Sequence, residues 1–269
     1  MDKVLITGGC SFTESKNYLE NVSGNMTHTW ALQLGKYLHN YGYKFINKAL
    51  GSQGNGLISR SVLYQVTEEL KTVAAEDLLV GVMWSGADRY DYRVTNPEYQ
   101  DFIMEKVNNG WMENPTGFIP DVDKRWIILN HHWANPDDKG KLNKQADLYY
   151  RNFHDNVSSY IYSLEHMLRL QYFLKCNNIK YFFTIYQDHV FDPYSINHPE
   201  VNYLYKLLDK TQFLPVTSAY TWCVERRVDE KHWICPHPHN HPSSIHHKYF
   251  TEEVIIPWLE NKNYIDITK

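Results

Sequence analysis

Residues 3–7 form a short apolar run that stops at Gly8-Gly9, the pattern of a buried strand ending in a tight turn. Over residues 30–41 the apolar positions are Trp30, Ala31, Leu34, Tyr37 and Leu38, which share one helical face. Residues 43–50 predict a second strand, ended by Gly51. From 57 to about 73, Ile58, Val62, Leu63, Val66 and Leu70 recur every three to four positions and predict a second helix. Residues 77–84 are almost wholly apolar, as expected of a central strand covered on both faces. The order is therefore β-α-β-α-β.

After Arg89 the pattern breaks. Residues 91 to about 145 are punctuated by Pro, Gly, Asn and Asp, and carry the rings Tyr99, Phe102, Trp111, Phe118, Trp126 and Trp133. This stretch reads as an aromatic-rich insertion, a lid if it covers the strand ends, or a small satellite core if its rings bury one another. Periodicity returns over 146–176, a long helix, followed by a fourth buried strand at 179–186 and helices at 201–213 and 250–259. Strands alternating with helices imply a three-layer α/β/α fold around a central parallel sheet. Trp30 and Trp84 belong to its core. The 269 residues suit one such domain spanning 1–269, insertion included. Ligands of such sheets bind beyond the carboxyl ends of the strands, so chemistry is expected at residues 8–13, 49–56, 84–89 and 187–192.

Composition narrows the classes. A net charge of -4 with 22% charged residues gives no global basic field, so no nucleic-acid partner is expected. No apolar stretch approaches the ~20 residues of a membrane span, and the N-terminal apolar run is too short for a signal-peptide core. A cytoplasmic protein without a membrane partner is the expectation. Cys10, Cys176, Cys223 and Cys235 show no paired spacing, so neither a disulfide scaffold nor a structural zinc site is indicated. With 8 Trp and 21 Tyr there are more rings than a core needs, and some are expected to face a ligand or partner.

Three segments carry candidate chemistry. In Gly8-Gly9-Cys10-Ser11, Ser11 stands at a strand end, either as a nucleophile beside backbone N–H donors or as a plain helix cap. In residues 47–56, Gly51, Gly54 and Gly56 let N–H groups approach a substrate closely, as an oxyanion hole demands; the alternative is a flexible loop before a helix. The third segment holds His237, His239, His241, His246 and His247. It suits a general base, an extended His-x-His-x-His metal site, or a polar surface loop before the last helix.

Gly9-Cys10-Ser11-Phe12-Thr13, Asn47 to Gly51, Trp84 to Arg89, and His241-Pro242 before a helix together resemble, in order and over almost the whole chain, the SGNH (GDSL-like) hydrolase superfamily. The first three pieces more particularly resemble a branch seen in bacteriophage and marine bacterial genomes. The resemblance implies a flavodoxin-like fold and a serine esterase or deacylase with no cofactor and no metal. Ser11 would be the nucleophile and His241 its base. The N–H groups of Ser11 and Gly51 would stabilise the tetrahedral oxyanion, a contribution commonly worth ~2.7–4 kcal/mol per donor. The implied substrate is a small ester, an acyl group on a carbohydrate being one candidate. Asn55, Ser85, Asp88 and Arg89 would line the oxyanion and substrate region.

Departures from the family pattern are specific. Gly-Asp-Ser has become Gly9-Cys10-Ser11, which keeps the serine. The third block reads Ser85-Gly86-Ala87-Asp88, so the Asn that supplies a third oxyanion donor is Ala87, with Ser85 or Arg89 as substitutes. The acid that orients the histidine stands two or three residues before it in the family; here those positions hold His239 and Pro238. Asp88, Asp188 and Asp192, near predicted strand ends, are the other candidate orienting groups. The alternatives are a catalytically degenerate ligand- or carbohydrate-binding protein on the same fold, or a metal-dependent enzyme using the C-terminal histidines.

Overall fold

A computed structural model describes residues 3–14, 28–51, 53–93, 126–129, 141–188, 196–226 and 241–265. In chain order its elements are β1 (Lys3–Gly8), α1 (Trp30–His39), β2 (Tyr43–Asn47), α2 (Asn55–Glu69), β3 (Leu78–Trp84), β4 (Tyr90–Arg93), β5 (Trp126–Leu129), α3 (Lys141–Asn152), α4 (Asn156–Cys176), β6 (Lys180–Ile185), α5 (Pro199–Leu207), α6 (Ala219–Arg226), α7 (Ser244–Phe250) and α8 (Ile256–Asn261).

The main sheet is parallel throughout, in the order β2-β1-β3-β6. Beyond β6, Phe213 makes a parallel bridge to Phe183 and starts a fifth position. Alternate residues of each strand serve opposite faces. Val4, Ile6 and Val80 join Ile58 and Val62 of α2 and Leu164 and Met167 of α4 on one side. Leu5, Leu79, Met83 and Phe182 join Trp30 and Leu34 of α1, Phe250 of α7 and Leu259 of α8 on the other. The result is the α/β/α layering expected from the periodicity. Trp30 and Trp84 are both fully buried. Because β2 lies on one side of β1 and β3 on the other, the connections diverge above β1 and β3, which opens a crevice at their carboxyl ends.

Several elements differ from their sequence-predicted bounds. The long helix over 146–176 is two helices, α3 and α4. Apolar periodicity runs through the break, but the Asp155 carboxylate accepts from the Ser158 N–H at 2.9 Å and starts α4 afresh. The helix over 201–213 stops at Leu207, since the chain must turn back to pair Phe213 with β6. The last helix begins at Ser244 and passes through a π-turn at Thr251–Ile255, next to Pro257, whose ring nitrogen has no hydrogen to donate to the preceding turn. The antiparallel pair β4·β5 and helix α6 were not predicted. Of the expected lid, residues 94–125 and 130–140 lie outside the described residues, and Tyr99, Phe102, Trp111, Phe118 and Trp133 with them.

Candidate active site

β1 delivers the chain to the crevice at Gly9. A Cβ there would run into the Thr13 hydroxyl and come within 2.9 Å of the Met83 carbonyl, so only glycine lets β1 turn this close to β3. The next residues form a single helical turn, with the N–H groups of Thr13 and Glu14 both donating to the Cys10 carbonyl at 2.9 and 3.1 Å. A first turn leaves its leading N–H groups without internal acceptors. Here these belong to Ser11 and Phe12, and neither makes a main-chain hydrogen bond among the described residues.

Neighbouring side chains fix this turn. Asn47, at the end of β2, donates to the Thr13 carbonyl at 2.9 Å and accepts from the Thr7 hydroxyl and the Ala49 N–H. The Trp30 indole N–H and the Thr29 hydroxyl donate to Thr13 from α1. Ser11 is thereby held 5% exposed.

The Ser11 hydroxyl meets His241 at 2.8 Å, Oγ to Nε2, although the two residues are 230 positions apart. The imidazole is 6% exposed and packs against the Phe12 ring with centroids 4.7 Å apart. Two residues on, Ser243 Oγ and His246 Nδ1 are 2.8 Å apart at the start of α7, a contact that seats the helix immediately following His241. His247 is buried beside Phe12; burial first, and then His246, pull its pKa down to about 3, so it is neutral at pH 7. His237 and His239 lie outside the described residues, and among those described no three metal-ligating side chains converge.

The third wall comes from the end of β3. Arg89 is 9% exposed. It donates through Nη1 to Ser85 Oγ at 2.8 Å and lies 5.1 Å over the Tyr186 ring. Burial opposes its charge, but Tyr186, Cys10 and Asp88 outweigh that and hold its pKa above the ordinary arginine value. Burial pushes the Tyr186 phenol up to about 12, against the pull of Arg89. Tyr186 in turn packs edge-on to Phe12 at 5.1 Å.

Several predicted donors are committed elsewhere. The Gly51 N–H donates to the buried Glu14 carboxylate at 2.6 Å, so it is not presented to the Ser11 hydroxyl as an oxyanion donor. Asn55 is fully buried. It donates to the Ser85 carbonyl and Ser163 Oγ, each at 3.1 Å, and accepts from the Ser85 N–H at 2.8 Å. It therefore ties β3 to α2 and α4 and is a structural clamp; the same bond occupies the Ser85 amide. Ala87 packs into the core beneath. Asp188 accepts from Thr221 Oγ1 at 2.6 Å and Ser218 Oγ at 3.3 Å, which anchors α6. Asp192, like His239, is outside the described residues.

Sequence reading missed Glu14 and Asp91, and gave Asn47 only as the first residue of a motif. The buried Asp91 carboxylate caps α2, accepting from the N–H groups of Gly54 at 3.1 Å and Leu57 at 2.8 Å, with Arg60 Nη2 3.9 Å away. Burial raises its pKa to about 6 against the opposing pull of Arg60 and the two amides.

No protein-family model matches the chain, and no curated protein matches it. Two solved structures align over 98% of it. One is protein YxiM from Bacillus subtilis, at 12% identity and a TM-score of 0.44; the chain spans 57% of that protein's length. The other, from Parabacteroides merdae, is named a GDSL-like lipase and aligns at 11% identity and a TM-score of 0.41 over 97% of its own length.

Proposed function

We propose that the protein is a serine hydrolase of the SGNH (GDSL-like) type that cleaves small esters through an acyl-enzyme. The observation that carries this reading is the 2.8 Å contact between Ser11 Oγ and His241 Nε2, both nearly buried, at the carboxyl end of the sheet. An imidazole that accepts from a serine hydroxyl at this distance is placed to take its proton as Oγ attacks a carbonyl carbon.

In this mechanism His241 Nε2 takes the Ser11 proton and the new Oγ–C bond forms. The carbonyl oxygen, now negative, is received by the N–H groups of Ser11 and Phe12 in place of Gly51. His241 returns the proton to the leaving alkoxide as the C–O bond breaks. Water then repeats the sequence on the acyl-enzyme and releases the acid. The burial of Ser11, Phe12, Tyr186 and Arg89 suits a short acyl group. No metal or cofactor enters these steps. O-acylated carbohydrates remain within this substrate range, as small acyl esters of polyols.

Turnover of p-nitrophenyl acetate tests the reading: Ser11→Ala and His241→Ala are expected to lose at least ~10³-fold in kcat. Equal rates in wild type and both variants reject it. A second reading, ligand binding without cleavage, is favoured by one observation, the capture of the Gly51 amide by Glu14.

A further inference from the structure

Ser11 and His241 are 230 positions apart, so their 2.8 Å contact is set by whatever ties the two ends of the chain together. His28, Thr29 and Trp30, at the start of α1, bond to both ends. Toward Ser11, the Thr29 hydroxyl donates to the Thr13 carbonyl at 2.9 Å and the Trp30 indole N–H donates to Thr13 Oγ1 at 3.1 Å. Toward His241, the His28 main-chain N–H donates to Ser244 Oγ at 2.7 Å. Ser244 is the first residue of α7, the helix that follows His241. At the far end of α7 the buried Thr251 hydroxyl, bonded to the His247 carbonyl at 2.8 Å, also reaches the Trp30 carbonyl at 3.4 Å. One short segment therefore grips both the turn that carries Ser11 and the two ends of the helix after the base.

Little slack separates Ser244 from the imidazole, since only Pro242 and Ser243 intervene. The Pro242 ring fixes its own φ and holds His241, the residue before it, in extended backbone. Ser243 is bonded to His246. A shift at the start of α7 is therefore passed to His241 rather than absorbed between them. On the other side of His241, the positions where the resembled family carries its orienting acid hold Pro238 and His239, so no carboxylate stands there.

We infer that Ser244 is a positioning residue for the base: by accepting the His28 N–H it docks the start of α7 on the segment that also fixes the Ser11 turn, and so holds His241 Nε2 against Ser11 Oγ. This rests on the Ser11–His241 reading and adds the residue that sets its geometry.

The test measures kcat and KM for p-nitrophenyl acetate in wild type, Ser244→Ala and Ser244→Thr. Ser244 is half-buried, and its truncation leaves the core intact. A misplacement on the order of 1 Å costs up to ~10²-fold in rate. Ser244→Ala is therefore expected to lower kcat by at least about tenfold with KM within about twofold of wild type, because the bond acts on the base and not on the substrate. Ser244→Thr keeps the acceptor oxygen and is expected to stay within about threefold of the wild-type kcat. A smaller fall in Ser244→Ala, a change confined to KM, or a Ser244→Thr variant below that level overturns the inference.

Imidazole ¹H–¹⁵N NMR reads the same geometry without turnover, the His241 signal being assigned by its absence in His241→Ala. A signal displaced in Ser244→Ala and restored in Ser244→Thr supports the inference even if no ester is cleaved, in which case the catalytic reading alone has failed. A signal unchanged in Ser244→Ala overturns it.

Discussion

The carboxylate of Glu14 accepts the main-chain N–H of Gly51 at 2.6 Å, so the loop after β2 is bonded to the turn that carries Ser11 through a side chain three residues beyond it. Glu14 is 3% exposed. Hydrogen bonds to charged groups contribute more than neutral ones, and a buried N–H left without its acceptor bears the full desolvation cost.

Replacing Glu14 by Ala is therefore expected to cost about 2 kcal/mol of stability. For a chain of this size that lowers the thermal midpoint by roughly 4–8 °C. Glu14→Gln, which keeps an acceptor oxygen, should lose about half as much. Thermal unfolding monitored by circular dichroism reads both; an unchanged midpoint in Glu14→Ala shows that the bond contributes nothing.

Asn55 separates a clamp from an oxyanion donor. Truncation to Ala strips partners from the Ser85 N–H, the Ser85 carbonyl and Ser163 Oγ, at a cost of about 3 kcal/mol or more. The expected result is a midpoint lowered by roughly 6–12 °C. A full midpoint combined with a large fall in kcat would instead make Asn55 a donor to the transition state.

Asp91 ties stability to pH. Its folded pKa of about 6 lies above the ~3.9 of an unfolded aspartate. Between those values the native state binds more protons than the unfolded state, so this group's contribution to stability falls as pH rises through the window and is level above it. The full change is on the order of 3 kcal/mol. Urea unfolding of wild type and Asp91→Asn across pH 4 to 8 measures it as a difference, since Asn does not titrate. Wild type should lose ground to the variant from pH 4 to 6 and then run parallel; curves parallel throughout would place the Asp91 pKa at its ordinary value.

How much of this was legible beforehand follows from what a sequence encodes locally. The apolar runs of β1, β3 and β6 are buried on both faces and stand out whatever surrounds them. The four-residue strands β4 and β5 carry no comparable period. The break between α3 and α4 was hidden because the stripe through Leu164 and Met167 continues the earlier spacing, although Asp155 stood where a capping residue belongs. At the site, the order of short motifs brought Ser11 and His241 into consideration together, which periodicity does not do. Which amide a carboxylate captures is decided by tertiary approach, so the pairing of Glu14 with Gly51 and of Asp91 with Gly54 left no trace in spacing. The same holds for Asn55, whose side chain sequence alone did not distinguish from a substrate-facing amide.

Intact-protein mass spectrometry after exposure to a fluorophosphonate reads activation of Ser11 by His241 without knowledge of the natural ester. The expected result is one adduct per chain on Ser11, absent in Ser11→Ala and slowed at least ~10²-fold in His241→Ala. A wild-type protein that stays unmodified, or an adduct of equal yield in Ser11→Ala, contradicts it.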